Sequence, residues 1–170
     1  GSIHFQGRRL HGLAPERIAR RGVGRTFQNI RLFGAMTVYE NVLVGMHPLI
    51  RYNFLDAVFH TPRYASGERK AHLRCMELLE YLGLRERAYE LARNLPYGEQ
   101  RRLEIARALA LKPSLLLLDE PAAGMNPNET HGVKALIRRL RDDLKLTLLL
   151  IEHHMQVVME ISDRVAVLDY

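Results

Sequence analysis

The sequence predicts an α/β fold in which a parallel sheet is covered by helices. Three observations carry that reading. Leu115–Leu118 is an unbroken apolar run, short enough to be a strand buried on both faces of a parallel sheet. Leu146–Ile151 is a second such run, interrupted only by Thr147. Between them, Asn128–Leu144 is amphipathic, with Val133, Leu136, Ile137, Leu140 and Leu144 at i, i+3, i+4, i+7 and i+11. A strand, a helical crossover and a second strand pair in parallel, with the helix covering the sheet.

The remaining elements follow in order. Ile3 and Phe5 alternate with polar residues and predict a short opening strand. Pro15 suits the first turn of a short helix over Pro15–Arg21, and Gly22 suits its stop. Gly24–Phe27 reads as another strand, ending at Gln28. Thr37-Val38-Tyr39-Glu40 is a T-x-x-E capping box, so a helix is expected to begin at Val38. The aromatic, proline-interrupted segment from Pro48 to Pro62 reads as a loop or short-helix insertion. Ser66–Leu82 is helical in pattern, with Leu73, Met76, Leu79 and Leu82 on one side and Gly83 as the stop. A further helix is expected over Glu99–Ala110, closed by Lys112-Pro113-Ser114. After the second apolar run come a short helix, Met155–Ile161, and a third strand, Val165–Leu168. The middle third is all helix, and no internal repeat or low-complexity tract interrupts it.

A chain of 170 residues suits one domain with a substantial core. Charged residues at 26% and apolar ones at 47% are ordinary for a globular protein and give no support to a disordered chain. No apolar run approaches the roughly 18 residues of a membrane span. The opening Gly1-Ser2-Ile3-His4-Phe5 lacks the basic and apolar regions of a signal peptide. Cys75 is the single cysteine, which excludes an intramolecular disulfide framework and suits a reducing cytoplasm. The formal net charge of +6 favours an anionic partner such as nucleotide, nucleic acid or membrane surface without choosing among them. A well-solvated basic surface explains the charge equally well.

The strongest local chemical signal is Leu115-Leu-Leu-Leu-Asp119-Glu120-Pro121. Two adjacent carboxylates at the C-terminal end of a buried strand lie where open α/β sheets bind ligands. Asp119 is a candidate Mg²⁺ ligand, and Glu120 a candidate for polarising water that attacks a γ-phosphate. A solvated acidic strand end is the alternative, and these two residues alone do not decide.

The ordered set around them does. Upstream lie Thr26-Phe27-Gln28 and then Leu95-Pro96-Tyr97-Gly98-Glu99-Gln100-Arg101-Arg102. Downstream lie Ala122-Ala123-Gly124-Met125-Asn126-Pro127 and Leu150-Ile151-Glu152-His153-His154. Together these resemble the Q-loop, signature segment, Walker B strand, D-loop and switch histidine of ABC-family ATPases, in that order and over essentially the whole chain. The implied fold is the P-loop NTPase fold of ABC ATPases with an inserted helical subdomain, incomplete at both ends. In that reading, residues 1–28 and 105–170 form a partial RecA-like core and residues 29–104 the helical subdomain. The wording is most similar to the larger ATPase subunit of branched-chain amino acid importers, through Arg25-Thr-Phe-Gln28, Asn94-Leu-Pro-Tyr-Gly98, Asp119-Glu-Pro-Ala-Ala-Gly-Met-Asn-Pro127 and Ile161-Ser-Asp-Arg164.

The resemblance implies ATP and Mg²⁺ as cofactors and assigns roles residue by residue. Glu120, His153 and Gln28 would be catalytic, with Asp119 and Gln28 toward the metal. Leu95, Pro96, Tyr97, Gly98, Glu99, Gln100, Gly124 and Asn126 would face nucleotide. Gly98 would open a helix whose N-terminus suits a γ-phosphate, one held on the opposite subunit. The signature serine is replaced by Pro96, which removes one hydrogen bond to a charged acceptor, worth about 1.5–3 kcal/mol. Asn126 and His154 both stand where the family often has Asp, and His154 receives no role. No G-x-x-x-x-G-K-[ST] phosphate loop occurs in the chain, so a partial segment that binds ATP poorly by itself is expected.

Implied partners are a second ATPase subunit, identical or not, and membrane permease subunits on the cytoplasmic face of the cell membrane. Leu32, Phe33, Tyr52 and Phe54 are candidates for the permease contact or, equally, for the core. Two other readings stand beside this one. A nucleic-acid-associated ABC ATPase suits the basic charge, but the stretch between Gln28 and Leu95 carries no sustained heptads, and no nucleic acid partner is expected. A non-catalytic ABC-like interaction module fits a partial cassette, although it has no need of both Glu120 and His153.

Overall fold

A turn through Gln6 and Gly7, both at positive φ, closes a hairpin between β1 (His4–Phe5) and β2 (Arg8–Arg9). Two left-handed residues in succession match the twist of the flanking strands. The computed structural model describes residues 1–49, 56, 58–59 and 61–168. Tyr52 and Phe54, and most of the Pro48–Pro62 insertion, lie outside the described residues.

Pro15 opens α1 (Pro15–Arg20), and Gly22 at φ +89° ends the turn beyond it. The chain then enters β3 (Val23–Arg25), slightly earlier than the sequence suggests. Thr37 and Glu40 form the expected capping box at the start of α2 (Val38–Met46). The Thr37 hydroxyl accepts the Glu40 N–H at 3.1 Å, and the Glu40 carboxylate accepts the Thr37 N–H at 2.7 Å. The next helix, α3 (Pro62–Tyr81), begins before Ser66 because the Thr61 hydroxyl caps it by accepting the Tyr64 N–H. α4 (Tyr97–Leu109) likewise starts two residues before the expected Glu99. β4 (Leu115–Asp119), α5 (Pro127–Leu144), β5 (Thr147–Ile151) and α6 (Met155–Ile161) complete the order.

β3, β4 and β5 form a parallel sheet in that order, with Arg25 opposite Leu117 and Asp119 opposite Ile151. Leu116 and Leu118 point into a core shared with Leu103, Ile105, Val133, Leu136, Ile137, Leu140, Val157 and Ile161. Each large aliphatic side chain buried there contributes roughly 1.5–3 kcal/mol. This is the crossover that the apolar runs predict.

Two expectations are corrected. β5 is not buried on both faces: Leu148 and Leu150 pack against the core, but Leu149 and Ile151 are 56% and 57% exposed. An apolar run reports that a strand suits burial, whereas burial depends on what lies over each face. Val165–Leu168 is not a strand. It has no pairing partner among the described residues, and Val167 and Leu168 are largely exposed. A β-rich composition cannot form a strand without a neighbour to bond.

Candidate functional site

The C-terminal ends of the three parallel strands converge, and the chemistry-bearing residues follow directly from them. β4 ends at Asp119, and the next residue, Glu120, is left-handed at φ +41°. A non-glycine residue enters that region at a cost of roughly 1–2 kcal/mol. It is held there by its own N–H, which donates to the Ile151 carbonyl at 2.9 Å. The turn leaves the Glu120 carboxylate between two partners from the neighbouring strand ends. The Gln28 side-chain amide, beyond β3, donates to one oxygen at 2.8 Å. The His153 Nδ1, beyond β5, lies 3.3 Å from the other. Residues far apart in sequence are thereby gathered around one carboxylate.

Asp119, one residue earlier, has a different partner. Its Oδ2 lies 3.3 Å from the Arg25 guanidinium. Arg25 and Arg31 also sit over the Phe27 ring, at 5.1 and 4.9 Å from its centroid, a favourable place for a cation. The next strand end, at Glu152, is anchored rather than free. Its side chain is fully out of solvent, and one oxygen accepts the Ala122 N–H at 3.3 Å.

A buried ion pair holds Gln28 in place. Arg101 and Glu104, one turn apart on α4, are both essentially inaccessible and 2.7 Å from each other. Arg101 also donates to the Phe27 carbonyl at 2.7 Å and the Gln28 carbonyl at 2.9 Å. Glu104 returns the favour by accepting the Phe27 N–H at 3.2 Å. The backbone of the Q-loop-like segment is thus bolted to α4. The sequence offered one signal for this pair, opposite charges at i and i+3 beside Leu103, Ile105 and Ala106, but that spacing also describes an exposed ion pair.

The signature-like residues form a second group. Pro96 precedes α4 with no side-chain cap, and its carbonyl accepts the Glu99 and Gln100 N–H groups. Leu95 is buried, with its carbonyl taken by the Gln100 side chain at 2.8 Å. Glu99 pairs with Arg87 and Arg102. The Tyr97 hydroxyl donates to the Ala123 carbonyl at 3.1 Å, beside Gly124, whose φ of +73° needs a glycine. Asn126 caps α5 in a capping box with Glu129. Between the starts of α4 and α5 lies a cavity of about 350 Å³ lined by Pro96, Gly98, Glu99, Arg102 and Glu129 among others. Glu129 closes on Gly98, whose added Cβ would stand 3.4 Å from its carboxylate. Glu99 and Glu129 face this cavity together with Arg102, which pairs with Glu99. Of the sequence-predicted residues, the structure therefore brings Gln28, Glu120 and His153 into direct contact. Tyr97, Gly124 and Asn126 sit in a neighbouring cluster, while the polar groups of Leu95, Glu99 and Gln100 are engaged within the chain.

Comparison with known proteins places the chain's family. Residues 1–123 match a family model described as ABC transporter. The chain is 49% identical over 169 residues to the high-affinity branched-chain amino acid transport ATP-binding protein BraF of Pseudomonas aeruginosa. It is 47% identical over 169 residues to the corresponding protein LivG of Escherichia coli strain K12. Both alignments cover 99% of this chain and 66% of the relative. Among solved structures, a nucleotide-free ATP-binding cassette from an ABC transporter superposes with a TM-score of 0.75 at 28% identity. That match covers 96% of this chain and 63% of the other. The ADP conformation of an ATP-binding cassette of an ABC transporter superposes with a TM-score of 0.74 at 28% identity over 94% of this chain and 62% of that one.

Proposed function

The chain belongs to the ABC transporter family, and from that premise we propose that it is the catalytic and signature-bearing part of an importer ATPase that powers uptake of branched-chain or similar amino acids. What supports the reading most is one observation: the Glu120 carboxylate is held between the Gln28 amide at 2.8 Å and the His153 imidazole at 3.3 Å. The named relatives, BraF and LivG, support the transport class.

In this reading Glu120 orients and polarises the water that attacks the terminal phosphate of ATP. Gln28 fixes the carboxylate rotamer through its N–H and keeps its carbonyl oxygen for the metal side. His153 steadies the other carboxylate oxygen and is placed to hydrogen-bond a phosphate oxygen. Asp119 and the Gln28 carbonyl are hard oxygen donors of the kind Mg²⁺ takes, and Asp119 is only partly exposed, with Arg25 as its counter-charge. A bound Mg²⁺ would supply charge neutralisation on the phosphates. Gly98 at the start of α4, with Gly124 and Asn126 beside it, would meet nucleotide held by a second ATPase subunit.

The division into a core of residues 1–28 and 105–170 and a helical part of residues 29–104 belongs to the same proposal. α4 runs across its second boundary, and Arg101 ties that helix to Gln28, so a change at Gln28 is passed directly to the helical part. No helix among the described residues is long and apolar enough to cross a membrane, and contact with the cytoplasmic face is assigned to permease subunits. Phe33, 46% exposed, is available to such a partner, whereas Leu32 packs against the core.

The test is ATP hydrolysis by the full-length protein carrying this sequence, beside its Glu120→Gln variant. Turnover that collapses in the variant while ATP stays bound supports the assignment. A parent that neither binds nor hydrolyses ATP overturns it.

A further inference from the structure

His154 has no part in the function proposed above; its side chain is 57% exposed, yet it stands beside a buried carboxylate. Its Nδ1 lies 3.4 Å from an oxygen of Glu152. The Glu152 side chain is fully removed from solvent, and its other oxygen is committed to the Ala122 N–H. The His153 and His154 rings lie close together, with centroids 4.3 Å apart and planes tilted by 34°. One donor atom from each of Glu152, His153 and His154 falls within 4.8 Å of the other two.

We propose that Glu152, His153 and His154 form a binding site for a divalent transition metal of the Zn²⁺ class. Two imidazoles and one carboxylate are a ligand set that such ions take, with metal–ligand bonds of about 2.0–2.2 Å. Tetrahedral bonds of that length separate neighbouring ligand atoms by about 3.4 Å. The distance between His154 Nδ1 and the Glu152 oxygen already has that value. The carboxylate is held by the Ala122 N–H before any ion arrives, as ligands in metal sites are oriented by their own hydrogen bonds. His153 brings a further feature of such sites. An imidazole has two nitrogens, and Glu120 lies 3.3 Å from one of them. A carboxylate on one nitrogen raises the basicity of the other toward a metal. Hard oxygen-seeking ions such as Mg²⁺ are disfavoured here because two of the three donors are nitrogen.

The consequence for hydrolysis rests on the proposed function: an ion on His153 competes with phosphate for the same imidazole. The site itself does not depend on that reading, and its test reads metal binding alone. Zn²⁺ affinity of the full-length protein carrying this sequence is measured by competition with a chromophoric chelator, beside His154→Asn and His11→Asn. Asn suits position 154 as the residue preceding α6, where His154 makes no side-chain cap, but it removes an imidazole ligand. We expect one tightly held ion per chain, at least a tenfold loss of affinity in His154→Asn, and unchanged affinity in His11→Asn. Equal affinity in the chain and in His154→Asn overturns the site. So does an equal loss in His11→Asn, which would trace the binding to histidines at large.

Discussion

Replacing Arg101 with methionine tests how the Q-loop-like segment is held. The side chain is fully buried and donates to the Glu104 carboxylate and to the Phe27 and Gln28 carbonyls, all within 2.9 Å. Methionine fills much of the space but makes none of these bonds. The change strands Glu104 as a buried charge, and breaking a buried pair from one side costs about 3–5 kcal/mol. Net stability of a domain is about 5–15 kcal/mol, so Arg101→Met removes a large share of it. With a urea slope of about 2 kcal/mol/M, the unfolding midpoint falls by about 2 M. Glu104→Gln should cost less, because its amide oxygen can still accept the Phe27 N–H. The double variant should cost less than the two singles combined, since the interaction is shared. Urea unfolding of all four proteins measures the cycle. A loss below about 1 kcal/mol in Arg101→Met, or strict additivity, would refute the idea that this buried pair fixes the segment.

Two further predictions concern the helical part. A Cβ added at Gly45 would stand 2.3 Å from the Arg107 carbonyl oxygen and 3.0 Å from Ala110; Gly45→Ala gains about 1 kcal/mol in helix propensity, yet forcing α2 from α4 should outweigh it at about 1–3 kcal/mol, and a urea midpoint at or above the parent's would contradict the close approach. Burial pushes the Cys75 thiol up to about 12, so at pH 8 the native chain should react with a disulfide reagent about a thousandfold more slowly than the urea-unfolded chain. A raised folded-state pKa also means that this group's stabilising contribution is complete below its ordinary value of 9.0 and declines as pH rises toward 12, which thermal unfolding across that window would reveal as a falling midpoint.

Local signals survived the passage from sequence to structure, and signals that needed a neighbour did not. The Thr37–Glu40 capping box was legible because both partners lie within one turn. The α5 stripe was legible because period and burial coincide at Val133, Leu136, Ile137 and Leu140, although Leu144 at its end is exposed. By contrast, Leu149 and Ile151 look like core in sequence, and only the structure shows which face of β5 is covered. Arg101 and Glu104 look like surface, because the sequence does not say that their helix face meets the backbone of Phe27 and Gln28. The proximity of Gln28, Glu120 and His153 was available only through the resemblance, since no periodicity connects positions that far apart.

Strand register, rather than spacing along the chain, makes that cluster. Arg25, Leu117 and Leu149 stand in one row across the sheet. Gln28 and Glu120 each lie three residues beyond that row and His153 four, so the three side chains emerge at nearly the same height. A slip of one residue between β4 and a neighbour would move Glu120 by about 3.3 Å along the strand. That is more than either the 2.8 Å bond to Gln28 or the 3.3 Å approach of His153 can absorb. The slip would also exchange Leu116 and Leu118 for Leu115 and Leu117 on the core face of β4. Because all four are leucine, the hydrophobic pattern of β4 cannot by itself forbid this. Register must instead come from the flanking turns, where the Ser114 N–H bonds Gly22 at one end and the Glu120 N–H bonds Ile151 at the other. The left-handed Glu120 is therefore both the chemical centre of the cluster and one of the two pins that keep it assembled.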